Sequence, residues 1–521
     1  MTDHTRKLAV AALIVASATA ISRVTGLGRE VVTAAVYGVV PDYNTLVSVS
    51  VIPSLIQQLF ADAAISAAFV PVFTALLAQG DRERAFRLAA NLLGLIVVVV
   101  GGLVAVLMLA AVPLAHAVFP ELTADAAGSA LAASLLRILL PTVLFLSLAG
   151  ALSGVLYSLE RFTMPAIVSI IWNLTIIAAI LLLQGAIGVY AVAIGMLVGT
   201  LLQWALLAAA MGRADRWLWP SFGIRDPLLR KVLLLMVPIT ITLGILNFNA
   251  LIGTWFAQFV SDRAAAEIGY AFRLYQLPQG IFAVTIGTVL FPSLSRFALT
   301  RGDGRFVDAI SFGVRQMVVV SLPFMAWFMV MPDPFVRLIY ERGQFGPEAT
   351  AEVGLALAFL AVGLVFANAN IMLNRAFQSM QRPWLPLYVS LGNIAVTILL
   401  CWLLYRPLGV AGITFTMGIV SVVNFAALFV LLRRQLGGLD GRHILRTAVR
   451  AFVCATALAA VSGLVWRLLE DFAAGGFLPL LAAVLAAVVA GAAVYLALAR
   501  VFKLDELTDV WRALRRRREP A

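Results

Sequence analysis

The stretch Ile21–Glu30, I-S-R-V-T-G-L-G-R-E, places Arg23 and Arg29 inside an apolar run from about Leu8 to Gly38. A charge at the centre of a spanning helix costs roughly 2.5–3.5 kcal/mol on insertion scales. A chain carries that cost where the guanidinium faces protein, water or a substrate, or where it snorkels to the headgroups. Gly26 and Gly28 lie between the arginines and permit a bend or a local unwinding. On a straight helix the two arginines would point about 120° apart. Fold and function both turn on what negative object they face.

The surrounding composition decides the class. Hydrophobic residues make up 62% and charged residues 12%, and the mean hydropathy is +1.00. That composition defines an all-α polytopic membrane protein, because the apolar runs are continuous and do not alternate as barrel strands do. At about 20 residues per span plus short loops, the chain accommodates roughly fourteen transmembrane helices. The formal net charge of +12 would suggest nucleic acid in a soluble protein. Here the basic residues sit between apolar runs, so topology and anionic membrane lipids account for them, and no nucleic acid is expected. Cys401 and Cys454 both fall in apolar segments and read as small core thiols. His4, Arg6 and Lys7 before Leu8–Ala20 resemble a signal peptide ending in A-S-A-T-A. The run continues through Arg23 to Gly38, so one long, interrupted first span fits better.

The chain divides accordingly. Residues 1–211 form an N-terminal lobe with spans 1–6, and 212–231 form a cytoplasmic linker. Residues 232–434 form a C-terminal lobe with spans 7–12, residues 435–502 hold spans 13 and 14, and 503–521 form a basic cytoplasmic tail. Lysine and arginine concentrate on one side: Arg82, Arg84 and Arg87, the linker, Arg433 and Arg434, and Arg515–Arg518. That bias puts both termini in the cytoplasm and requires an even number of spans.

An internal repeat supports the two lobes. R-F-T-M-P-A-I-V-S at Arg161–Ser169 matches R-P-W-L-P-L-Y-V-S at Arg382–Ser390. Gly188-Val189 matches Gly409-Val410, and Pro71 matches Pro292, all at one offset of 221 residues. Six spans per repeat means that both halves enter the membrane the same way, a parallel repeat of the kind found in transporters.

Enzyme chemistry finds no foothold. No phosphate-binding G-x-x-x-x-G-K-[ST] and no G-x-S-x-G elbow occur, and the three histidines are scattered. The intramembrane polar residues become the site candidates: Arg23 and Arg29 in span 1, and Gln57, Gln58 and Asp62 in span 2. Span 8 adds Arg273, with Tyr270 and Gln276 one turn to either side; Arg137 and Arg375 read as structural or interfacial. Arginine suits a phosphate because its planar fork binds two oxygens and stays charged when buried. Arginines from the first spans of both lobes point to an anionic substrate bound between them. The bland alternative makes Asp62 a structural partner of one arginine.

S-R-V-T-G-L-G-R-E at Ser22–Glu30 and F-A-D-A-A-I-S-A-A-F-V-P at Phe60–Pro71 resemble the first two spans of the lipid II flippase family (MurJ, also called MviN). Y-A-F-R-L-Y-Q-L-P-Q-G at Tyr270–Gly280, F-P-S-L-S at Phe291–Ser295 and Y-E-R-G-Q-F at Tyr340–Phe345 resemble later family segments. The resemblance covers essentially the whole chain. It implies the fold of the multidrug/oligosaccharidyl-lipid/polysaccharide exporter superfamily and no enzymatic activity. It also implies an anionic lipid-linked glycan, the undecaprenyl-pyrophosphate-linked peptidoglycan precursor lipid II, as substrate, carried by alternating access from the inner to the outer leaflet of the bacterial cytoplasmic membrane. Arg23, Arg29 and Arg273 would be its cavity arginines, spans 13 and 14 would form the lipid-tail groove, and cell-wall synthesis machinery would be a partner. No cofactor is implied beyond coupling to a monovalent ion or the membrane potential.

The chain departs from the family pattern at Gln57, where many members have arginine, and at Phe272, where an acid is common. Asn44 and Gly253 stand where other members have acids, the latter linked to a sodium site. Three alternatives stay open: a flippase for another polyprenyl-linked glycan, a drug or cation antiporter of the same superfamily, and a non-transporting envelope-assembly scaffold.

Overall fold

The structure is a computed structural model of the chain. It describes residues 3–60, 62–214, 218–223, 226–298, 304–382, 384–504 and 506. Within the helices, side chains are described except at 3–14, 16, 59, 60, 62–68, 213, 214, 235, 237–247, 281, 283–285, 288, 289 and 292.

Among the described residues every regular element is helical. The first half contains α1 (Asp3–Tyr37), α2 (Pro41–Phe60), α3 (Asp62–Ala78), α4 (Arg82–Leu109), α5 (Ala111–Val118), α6 (Ala126–Ser158), α7 (Thr163–Ile187) and α8 (Tyr190–Ala214). There follow α9 (Pro227–Ala257), α10 (Ala264–Pro278), a π-helical turn at Gln279–Ala283, α11 (Val284–Phe297), α12 (Arg305–Val330) and α13 (Pro332–Tyr340). The chain continues with α14 (Pro347–Ala361), α15 (Leu364–Ser379), α16 (Trp384–Leu436), α17 (Gly441–Ala473) and α18 (Phe477–Val501). Two compact units result: Met1–Ala265 with Arg342–Phe345, and Ala266–Glu341 with Gly346–Ala521.

In the first unit α1 lies along α7, α7 pairs with α8, and α6 packs on α2, α4 and α8. Phe69, Phe73 and Phe86 form its aromatic centre, with ring centroids 5.2 and 5.8 Å apart in succession. The segment before α9 is stitched onto α4: Ser221 N–H donates to the Ala90 carbonyl at 2.9 Å, and Asn91 Nδ2 donates to Asp226 Oδ2 at 3.1 Å. Asp226 Oδ1 also accepts from Leu228 N–H and so caps α9. α9, the helix of span 7, packs on α2 and α3 within this unit, although the repeat counts it with the second half.

In the second unit α12 packs on α15 and α17, and α17 pairs with α18. Buried polar groups hold these helices in register. Trp327 Nε1 donates to Ser462 Oγ at 3.0 Å, and Ser462 Oγ donates to the Ala487 carbonyl at 2.9 Å. Tyr495 OH donates to the Val319 carbonyl at 2.7 Å. The Arg315 guanidinium lies 2.8 Å from the Glu506 carboxylate. Each of the three hydrogen bonds, from Trp327, Ser462 and Tyr495, is worth about 1 kcal/mol, and each would cost more if left open in the core.

The repeat is written into the backbone as well as the sequence. Gly188 has φ 55° and ψ −134°, and Gly409 has φ 56° and ψ −133°. That region is accessible to glycine alone, so both hinges require it. Glu160 and Gln381, again 221 residues apart, share a left-handed φ of 59° and 57°. After them, Arg161 N–H donates to the Leu156 carbonyl at 2.8 Å and Arg382 N–H to the Phe377 carbonyl at 3.0 Å. Corresponding helices in the two halves thus end with the same cap.

Eight described helices are long and apolar enough to cross a membrane, nine with α14 and α15 taken as one span bent by 46°. The expected fourteen is not reproduced by length and apolarity alone. α16, 53 residues long, merges two helices across Gly409, and the span 8 segment is divided by the π-helical turn that follows Pro278. α1 differs from expectation in the other direction. It runs unbroken from Asp3 to Tyr37, so the glycine pair does not unwind it. Gly26 instead faces Asn173 of α7, whose Nδ2 lies 3.7 Å from where a Cβ would stand.

Candidate functional site

Because α1 is continuous, Arg23 and Arg29 leave it on different sides. Arg29 turns into the first unit; its side chain is 15% exposed. It pairs with Glu30, its neighbour in sequence, and its guanidinium carbon lies 4.7 Å from the centroid of the Trp172 ring. Trp172 is itself fixed from behind, since Nε1 donates to Thr200 Oγ1 of α8 at 3.2 Å. Asn173 Nδ2 reaches the Ser22 carbonyl at 3.4 Å and the Ser169 carbonyl at 3.1 Å. One carboxylate and one indole face thus hold a permanent cation inside an apolar helix pair. Arg23 is exposed.

The other candidates are distributed. Gln57 is half-buried and Gln58 exposed on α2, which packs on α6 and α9. The side chain of Asp62 lies outside the described residues. In the second unit Arg273 and Gln276 are exposed one turn apart on α10. Tyr270 is only 1% exposed and packs against Tyr340, with ring centroids 5.0 Å apart; the structure places it in the protein interior. Phe272 is exposed and stacks on Tyr275 at 5.8 Å. Arg375 sits over Phe291 at 5.1 Å, with Gln378 at 3.3 Å. Arg137 donates to the Met108 carbonyl at 3.4 Å.

The second unit also contains an apolar cavity of about 520 Å³. Leu322 and Met325 of α12, Phe366 of α15, Phe425 and Phe429 of α16 and Phe452 of α17 line it. α18 backs α17 and contributes no wall, so α17 alone of the final pair shapes this space. No cluster of three or more metal-binding side chains occurs among the described residues.

Glu30, Trp172 and Asn173 were not singled out by the sequence. Glu30 closes the opening motif, and its nearness to Arg29 was the available signal. Trp172 and Asn173 interrupt the apolar span 5, but nothing local ties them to α1.

These features define a multi-pass helical membrane protein in which Arg29, inside an apolar helix, is held by a carboxylate and an indole ring. A solved structure described as lipid II flippase MurJ in an inward closed conformation shares the fold. Its TM-score is 0.75 at 22% identity, and the match covers 95% of this chain and all of that one. A multidrug resistance MATE family transporter of the MOP superfamily, inward-facing, matches at TM-score 0.67 and 15% identity, over 80% of this chain and 94% of that one. The family model described as lipid II flippase MurJ matches residues 34–485. A "probable lipid II flippase MurJ" of Rhizobium meliloti is 31% identical over 86% of this chain and 84% of its own length. The lipid II flippase MurJ of Burkholderia cenocepacia is 28% identical over 82% and 84%. The chain belongs to the lipid II flippase MurJ family.

Proposed function

We propose that the chain moves lipid II, a polyprenyl-pyrophosphate-linked glycan, from the inner to the outer leaflet of the bacterial cytoplasmic membrane. Both termini lie on the cytoplasmic side in this reading. The observation that carries it is the Arg29–Glu30–Trp172 constellation on a helix that also presents Arg23. Arg29 is held by Glu30 and Trp172, and Arg23 and Arg273 are exposed guanidinium groups of the kind that a pyrophosphate attracts. Trp172 and Glu30 keep Arg29 in one geometry, ready to add a second fork. The apolar cavity of the second unit suits a stretch of polyprenyl chain. Transport then follows from alternating access, in which the lipid-linked head binds the two states with different affinity.

An exporter of cationic drugs would need acids in place of these arginines. A second reading, a flippase for another polyprenyl-linked glycan, draws on Gln57 and Phe272. The one offers no charge on α2, and the other is a stacked ring beside Arg273. Coupling to a monovalent ion would need donors other than Gly253, which is buried in α9 and has no side chain to offer.

The test is rescue of a host depleted of its own lipid II flippase. Wild type is expected to restore growth and surface lipid II, and Arg23→Ala, Arg29→Ala and Arg273→Ala to fail or rescue weakly. Full rescue by all three variants would overturn the site; rescue by none, wild type included, would overturn the substrate.

A further inference from the structure

His443, one of three scattered histidines in the sequence, is used neither by the arginines nor by the apolar cavity. The structure sets it in the first turn of α17, between two groups of opposite charge. Its Nδ1 lies 2.9 Å from Arg315 Nη1 of α12 and 3.2 Å from the carboxylate of Asp440, in the loop before α17. One ring nitrogen cannot serve both. Accepting from the guanidinium needs Nδ1 bare, and donating to the carboxylate needs it protonated. An imidazolium has no acceptor at all, so a second ring proton ends the Arg315 bond and leaves two cations in contact. The His443 side chain is 51% exposed, so solvent protons reach it. Imidazole is the side chain that changes charge between about pH 5 and 8.

The two partners are held differently. Arg315 is fixed: its guanidinium lies 2.8 Å from the buried Glu506 carboxylate, and Nη1 also donates to Ser311 Oγ at 3.2 Å. A chain reversal after α18 brings Glu506 there. Lys503 takes a left-handed φ of 52°, and Leu504 N–H donates to the Ala499 carbonyl at 2.9 Å. Thr447 Oγ1 donates to Glu506 at 3.3 Å, so α17 stays tied to α12 one turn beyond His443. Asp440 caps α17 by accepting from the His443 N–H at 3.3 Å. The charges around the ring are therefore Asp440 before it, the exposed Arg442 and Arg446 on its own helix, and Arg315 on α12 with Glu506 behind. What is left to respond to the proton is the first turn of α17. Through Gly441, Ile444 and Leu445 that turn lines the apolar cavity, together with Val318 and Leu322 of α12. A Cβ on Gly441 would stand 3.6 Å from the Phe429 ring of α16.

We propose that His443 is a proton-operated clasp on the edge of this cavity. The neutral ring accepts from Arg315 and holds the first turn of α17 against α12. The protonated ring donates to Asp440 instead, and the turn moves away from α12. The closed form binds one proton fewer, so closure is favoured as pH rises through the imidazole range and is lost as pH falls. The clasp governs the width of the apolar cavity at this edge, whatever molecule enters it.

The test uses the full-length protein with Cys401→Ser and Cys454→Ser, and spin labels at Asp308→Cys of α12 and Leu445→Cys of α17, both exposed positions. In nanodiscs the label distance is expected to be shorter at about pH 8 and longer at about pH 5.5. The ratio of the two components should change by no more than about tenfold per pH unit, the limit for one proton. His443→Gln keeps an acceptor for Arg315 without a titrating group, and should hold the shorter distance at both pH values. His443→Lys, a fixed cation, should give the longer distance at both. Asp440→Asn keeps a good helix cap and should move the transition to lower pH, because the charged ring loses its partner. A single distance across the pH range with His443 in place, a steeper dependence than one proton allows, or an undiminished shift in His443→Gln overturns the clasp.

Discussion

A guanidinium in an apolar helix has to be accounted for atom by atom. Arg29 meets that demand with a carboxylate next door and an indole face from another helix. Replacing Trp172 by leucine keeps an apolar side chain but removes the ring face and the indole N–H, and should cost at least about 1–2 kcal/mol of stability. Trp172→Phe should fall between wild type and the leucine variant, as read by thermal unfolding in detergent. Glu30→Gln leaves a mostly buried cation without its partner and should cost more, on the order of 3 kcal/mol. The arginines were legible in the sequence because a charge amid Leu8–Gly38 is expensive. Their partners were not. Adjacent helical residues diverge by about 100°, so nearness in sequence was a weak signal for Glu30, and Trp172 meets Arg29 only once α7 has packed on α1. Tyr270 is the reverse case: helical spacing put it one turn from Arg273, and in the structure it is buried against Tyr340.

At the level of elements, helix ends carried more information than helix middles. The offset of 221 residues linking Gly188 to Gly409 was readable from sequence, and the two glycines share one backbone conformation to within a degree. Alanine at either position should destabilise by at least 1–2 kcal/mol. Gly392→Ala, inside a helix with open space around it, should be neutral or stabilising. Thermal unfolding of the three variants in parallel checks this. Ser462 links Trp327 to the Ala487 carbonyl. Ser462→Ala orphans the buried indole N–H and should cost about 1–3 kcal/mol, loosening α17 from α12; cysteine accessibility along α17 would report it. Breaks inside helices were harder to foresee. Gly26 and Gly28 suggested a broken α1, yet it is continuous. The 46° bend between α14 and α15 falls at Gly363, and the π-helical turn follows Pro278 and contains Gly280, glycines of the kind that leave α1 unbroken. Glycine permits a bend without demanding one, and the neighbouring helices decide.

For the whole molecule, composition fixed the membrane class, and the repeat divided the chain into halves. The compact units meet in sequence at Ala265 and Ala266, beyond α9, because α9 packs on α2 and α3. Hydrophobic pattern alone cannot reveal this, since every face of an apolar helix offers similar surface to lipid and to protein. The central claim is that this chain carries lipid II across a bilayer with the arginines of α1. The most direct measurement places purified protein in vesicles holding fluorescent lipid II, then adds a membrane-impermeant quencher. Wild type should expose inner-leaflet lipid II to the quencher, and Arg29→Ala should fall to the rate of protein-free vesicles while remaining folded. Equal rates for wild type and empty vesicles, or for wild type and Arg29→Ala, would contradict it.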